Sequence, residues 1–211
     1  MGVVETWALV PVKPFRLAKQ RLGGVLSPSR RATLARALMM HTLDVLGKCV
    51  AAGRLARVLV VSTDPMALGL ARRRGAVALR EPGDGLNAAL AQARVYAQAH
   101  GAQATLVVPA DLPALSIADV SALLALTDHA GVVIAPSYDG GTNALFTCPP
   151  DVLHYAYGRG SCAEHVAQAE TSGCRVEICS APGFTYDLDT PHDLARWLAA
   201  VKTRQPDPRA S

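Results

Sequence analysis

A chain of 211 residues and 22.1 kDa is one domain's worth of polypeptide, long enough to bury a substantial core. Half of it is hydrophobic, 18% charged and 5% aromatic, which excludes a disordered or fibrous chain. The formal charge of +4 is slight, and with few aromatic residues for stacking it calls for no nucleic-acid partner. The opening residues carry no basic stretch followed by an apolar one, so no secretory leader is read. No apolar run reaches the ~18 residues of a membrane span. Five cysteines, an odd number without a CxxC pair, read as reduced thiols in a cytoplasmic protein.

In chain order, TWALVPV (6–12) predicts a first strand, followed by an irregular basic stretch. Ser27-Pro28-Ser29 caps a helix that carries Leu34, Leu38, Thr42 and Val45 at helical spacing. RVLVVS (57–62) is a short β-branched run suited to a buried parallel strand. Asp64-Pro65 opens a second helix that Gly75 closes, and AVALRE (76–81) is a third strand. Residues 83–99 read as a glycine-rich turn entering a helix, with Gly101 after it. ATLVVPAD (104–111) is a fourth strand with Asp111 at its carboxyl end. Ser116 and Asp119 form a capping-box variant for the next helix, and GVVIAPS (131–137) is a strand. The rhythm then changes: a strand-like run lies within DGGTNALFTCPP, the serine of YGRGS begins a helix, and CRVEICS (174–180) is a strand. TYDLDTPHDLARWLAAV joins a strand end to a last helix with Pro191 in its first turn. Repeated β-α-β units predict a single Rossmann-like α/β domain, a mostly parallel sheet with helices on both faces. Its expected extent is 1–203, with a flexible polar tail over 204–211.

Neither GxxxxGK[ST] nor GxGxxG after a first strand is present, so P-loop hydrolysis and ordinary dinucleotide binding fit poorly. Ligands of α/β sheets nevertheless bind beyond the carboxyl ends of the strands, and four features gather at such places. PVKPFRLAKQRL supplies Lys13, Arg16, Lys19 and Arg21 with no acid, a charge suited to a triphosphate; a solvated basic loop is the plainer alternative. Asp111, Asp187 and Asp189 are hard oxygen donors suited to Mg²⁺ on phosphates. Asp187 and Asp189, two apart on extended backbone, face the same side, although Asp189 with Thr190 could equally cap the last helix. In GDGLN (83–87) the glycines permit close approach and Asn87 could read a base or simply start a helix. GGTNAL and GRGS offer backbone N–H groups and hydroxyls to an anion, or are a pair of turns. Cys162 and His165, one helical turn apart, read as helix surface, as do most of the six histidines.

Taken in order over nearly the whole chain, PVKPFRLAKQRL, PADLPAL, GGTNAL, GRGS and YDLDTPHDL resemble the guanylyltransferases of coenzyme F420 biosynthesis, the 2-phospho-L-lactate guanylyltransferases. The resemblance implies a nucleotidyltransferase domain that joins GMP from GTP to the phosphate of a three-carbon phospho-acid and releases pyrophosphate. The acid would be 2-phospho-L-lactate, phosphoenolpyruvate or 3-phospho-D-glycerate. It further implies that Asp111, Asp187 and Asp189 hold Mg²⁺ and, with Lys13 and Lys19, form the catalytic set. Lys13, Lys19 and Arg21 would meet the triphosphate, the region of Gly85 and Asn87 the guanine, and Thr142, Gly158 and Ser161 the phospho-acid. A small-molecule chemistry without nucleic acid or membrane follows, with the next transferase of the pathway as a further candidate partner. The glycine-rich first loop of the wider nucleotidyltransferase group is replaced here by prolines and basic residues. The competing expectations are another Mg²⁺-dependent nucleotidyl- or sugar-nucleotide transferase, and a GTP-binding module without catalysis. The scarcity of an obvious general base is consistent with transfer to a phosphate, whose second pKa near ~6 leaves it ionised without help.

Overall fold

Alternate side chains of the first strand enter opposite hydrophobic clusters: Trp7 and Leu9 one, Ala8 and Val10 the other. A strand apolar on both faces belongs in the middle of a sheet covered on both sides, and there it lies. The structure, a computed structural model, describes residues 4–204, with side chains described as far as 201. The strands are β1 (Thr6–Pro11), β2 (Arg57–Ser62), β3 (Val77–Arg80), β4 (Ala104–Val107), β5 (Val132–Pro136), β6 (Thr142–Thr147) and β7 (Val176–Ile178). They form one seven-stranded sheet in the order β3-β2-β1-β4-β6-β5-β7. β1 pairs in parallel with β2 and β4, β2 with β3, and β5 with β7. β6 alone is reversed, antiparallel to both β4 and β5. The sheet is therefore mostly parallel, as the β-α-β rhythm predicts.

The helices are α1 (Pro28–Ala51), α2 (Pro65–Arg73), α3 (Leu86–Ala99), α4 (Ile117–Ala125), α5 (Ser161–Thr171) and α6 (Pro191–Arg204). Apolar side chains of α1, α2 and α4 pack with Ala8 and Val10, whereas those of α3 and α5 pack with Trp7 and Leu9. Both faces are thus covered. The N-terminal signals act as read: Ser27 accepts the Arg30 N–H at the head of α1, and Asp64 accepts the Met66 N–H at the head of α2. Ser116 and Asp119 complete the reciprocal capping box of α4.

Some boundaries differ from the expectation. β4 stops at Val107, so Asp111 stands beyond the strand, on the turn that leaves the sheet. Residues 185–190 form no strand; the Leu188 N–H bonds the Asp111 carbonyl instead, at 3.0 Å. Of the strand read over 174–180 only Val176–Ile178 pairs. Of the polar tail expected over 204–211, Arg204 belongs to α6 and 205–211 lie outside the described residues. Among the described residues no helix is long and apolar enough to cross a membrane.

Candidate active site

The basic stretch after β1 is folded rather than loose. It makes two 3-10 turns, Phe15–Leu17 and Gln20–Leu22, and buries Phe15 and Leu22 while Lys13, Arg16 and Arg21 stay exposed. Each buried anchor contributes roughly 1.5–3 kcal/mol relative to exposure. Asp64 adds a third hold by accepting the Phe15 N–H at 3.0 Å. Between the turns Lys19 adopts φ 55, the only positive φ at a non-glycine among the described residues. Left-handed backbone costs an L-residue about 1–2 kcal/mol. It reverses the chain here, and the Lys19 side chain is left only 5% exposed.

The lysine ammonium lies 2.8 Å from Asp111 Oδ2 and 3.9 Å from Asp189 Oδ1, and Arg21 Nη1 lies 3.2 Å from Asp189 Oδ2. A small apolar cluster sets this meeting: Leu22 from the basic loop, Leu38 from α1 and Leu188 from the acidic segment are buried together. Leu188 is turned inward, and Asp187 and Asp189 on either side of it are only partly buried. Burial, then repulsion from Asp111, pushes the Asp187 carboxyl up to about 6, with Asp189 adding to the repulsion and Lys19 opposing it. The capping alternative for Asp189 does not hold. Thr190 and Asp193 exchange the cap bonds at the head of α6, leaving the Asp189 carboxylate to Lys19 and Arg21.

These residues border a cleft of about 610 Å³, a size ordinary for a small-molecule site. Lys13, Lys19, Arg21, Asp111 and Asp189 line it on one side, and Gly83 and Gly85 on another. Gly83 and Gly85 take φ 109 and 97, and Gly85 precedes α3 without a side-chain cap. The first N–H groups of that helix can therefore meet an anion. Asn87 is not among the lining residues. Its Oδ1 accepts the Tyr157 N–H at 2.8 Å and its Nδ2 donates to the Tyr157 carbonyl at 3.2 Å, so it staples α3 to the 157–161 loop. Asp187 lines a separate groove beside Tyr186, Arg196 and Trp197.

Thr142, at the start of the reversed β6, and Ser161, at the start of α5, come together with their oxygens 3.3 Å apart. They too stand outside the lining of the large cleft. On the turn into β6 the Asp139 carboxyl is held below its ordinary value, first by the Ser137 hydrogen bond and then by the Gly141 N–H, with the Arg21 charge the least of the causes. Gly158 and Gly160 both have positive φ in the loop that delivers Ser161.

The sequence model of the family described as Guanylyl transferase CofC like matches residues 6–202. The chain belongs to that family. A phosphoenolpyruvate guanylyltransferase of Rubrobacter xylanophilus is 44% identical over 199 residues, covering 93% of this chain and 95% of that one. A 2-phospho-L-lactate guanylyltransferase of Methanothermobacter thermautotrophicus is 38% identical, covering 90% and 83%. Among solved structures, a protein assigned as a nucleotide-diphospho-sugar transferase from Desulfovibrio desulfuricans superposes with a TM-score of 0.74 at 19% identity, covering 99% of this chain and 91% of that one. That likeness is one of fold. In this CofC-like guanylyltransferase, then, the structure brings Lys13, Lys19, Arg21, Gly85, Asp111 and Asp189 to one cleft.

Among the described residues no group of three Asp, Glu, His or Cys side chains forms a ready metal cage; Asp111 and Asp189 share the Lys19 ammonium, which offsets the mutual repulsion of the carboxylates. Converging carboxylates that already share one cation are still a donor set a divalent cation fits. His165 is not on a helix surface but fully buried. Sequence reasoning also passed over Glu81 and Thr63, which line the cleft at the ends of β3 and β2. The rule that places ligands beyond strand carboxyl ends would have found both.

Proposed function

We propose that this guanylyltransferase transfers GMP from GTP to the phosphate of a three-carbon phospho-acid, releasing pyrophosphate, as a step in making coenzyme F420. Phosphoenolpyruvate is the leading acceptor, in keeping with the name of the 44% identical relative; 2-phospho-L-lactate and 3-phospho-D-glycerate are its competitors. The observation that carries the reading is the convergence of Lys19 and Arg21 with Asp111 and Asp189 at the rim of the large cleft. Lys13, Lys19 and Arg21 meet the β- and γ-phosphates, and the uncapped start of α3 supplies further N–H donors. Asp111, Asp187 and Asp189 would hold Mg²⁺. Bound there, the metal would screen the repulsion between the two phosphate groups and the charge that develops as pyrophosphate leaves. Thr142, Gly158 and Ser161 hold the phospho-acid. The attacking phosphate oxygen is already ionised at neutral pH, so no side chain need remove a proton. Asn87 serves by positioning the 157–161 loop. Glu81 is the carboxylate that can accept from the N1–H and N2–H groups of guanine, a pairing adenine cannot make.

Incubating the protein with GTP, Mg²⁺ and each acid in turn, and analysing for a diphosphate-bridged product, tests the proposal. One of the three acids should yield that product with stoichiometric pyrophosphate. Asp111→Ala and Asp189→Ala should each reduce turnover by about a thousandfold or more in a folded protein. Product from none of the acids, or near-normal turnover in both variants, would sink the assignment.

A further inference from the structure

His165 is fully buried, and its two ring nitrogens have different partners. The Ala156 backbone N–H lies 3.0 Å from Nε2. A backbone amide can only donate, so Nε2 accepts and the neutral ring carries its hydrogen on Nδ1. Nδ1 is 3.0 Å from Thr142 Oγ1, and Thr142 is therefore an acceptor from the histidine. The Ser161 hydroxyl donates to the same oxygen at 3.3 Å. A threonine oxygen has two acceptor sites and one proton. With both acceptor sites filled from within the protein, the Thr142 proton is directed away from His165 and Ser161.

We propose that His165 is a positioning residue that makes the Thr142 hydroxyl an obligate hydrogen-bond donor toward the anionic acceptor. An anion accepts and never donates, so a hydroxyl whose only remaining role is donation is matched to a phosphate or carboxylate and mismatched to a neutral hydroxyl compound presenting a donor. Burial supports the arrangement by holding the His165 pKa down to about 4, which keeps the ring neutral and its hydrogen on one nitrogen at neutral pH. The second bond of the ring, from Ala156, fixes the start of the loop that carries Gly158 and Ser161. Tyr157 lies edge-on to the ring at 5.2 Å and is itself tied to Asn87 at the head of α3. His165 thus orders the acceptor side from beneath without touching the acceptor. The inference rests on the reading of Thr142 as an acceptor-binding residue.

Two polar replacements separate the two nitrogens. In His165→Asn the amide stands near the place of Nδ1 and can still donate to Thr142, whereas in His165→Gln the terminal oxygen reaches the place of Nε2 and keeps only the Ala156 bond. With saturating GTP and the better of phosphoenolpyruvate and 2-phospho-L-lactate as varied acceptor, His165→Gln should raise the acceptor KM about tenfold. His165→Asn should stay within about threefold of the parent. GTP affinity measured by calorimetry should be unchanged in both. Thr142→Val should raise the acceptor KM at least as much as His165→Gln, and the double variant should be no worse than Thr142→Val alone. An unchanged acceptor KM in Thr142→Val would overturn the acceptor-site reading and the inference with it. A raised KM in Thr142→Val accompanied by additive effects in the double variant, or by the reverse order of Asn and Gln, would overturn the role of His165 alone.

Discussion

The buried imidazole gives folding stability a pH dependence that can be worked out from one residue. His165 has an ordinary value of 6.5 and is held at about 4 in the fold, chiefly by desolvation. Between these two values the unfolded chain binds a proton that the folded chain refuses, so stability falls as pH falls through this window. The contribution is nearly complete at pH 7. At pH 5 the linkage relation gives a loss of about 2 kcal/mol from this residue. His165→Asn has no group to titrate and should lack that loss, while every other titrating side chain remains common to both proteins. Urea unfolding of each at pH 7 and pH 5 isolates the difference. With a slope of about 2 kcal/mol per molar, the parent midpoint should fall about 1 M further than that of the variant. Midpoints that fall in parallel would refute the burial and tautomer reasoning together.

Gly183 has no room for a side chain: an added Cβ would stand 2.3 Å from the Asp119 carboxylate, which also accepts the Gly183 N–H. Gly183→Ala should therefore cost about 1–3 kcal/mol in urea unfolding, and an unchanged midpoint would show that this turn does not lock the acidic segment to α4. Asp193→Ala removes the carboxylate half of the cap of α6, leaving the bond from its backbone N–H to Thr190 Oγ1, and should lower stability by about 1 kcal/mol while leaving pyrophosphate release within about threefold; a loss as deep as that of Asp189→Ala would mean the cap, not the carboxylate of Asp189, matters at the site. Glu81→Gln should narrow the preference for GTP over ATP by about tenfold or more in kcat/KM. Unaltered discrimination would remove Glu81 from base reading.

The outline of the fold could be read from the chain because its signals are local. Strand-length apolar runs separated by helical periods predict β-α-β units, and Ser27, Asp64 and Ser116 mark helix starts through short-range cap bonds. The reversal of β6 between β4 and β5 has no such signature, because which strand pairs with which is a long-range choice. That reversal is what carries Thr142 to the same end of the sheet as the carboxyl ends of the parallel strands.

The chain carries a net charge of +4. Residue order by itself located that excess: the segment 12–22 holds four cations and no acid, and Asp111, Asp187 and Asp189 lie far from it along the chain. Tertiary structure decided how they meet. Leu22, Leu38 and Leu188 bury one another, and this apolar contact brings the Lys19 ammonium between carboxylates separated by dozens of residues. It also decided that His165, polar and apparently on a helix surface, is fully buried. Helical period gives the face of a residue, but only the packing of α5 against the sheet fixes whether water reaches that face.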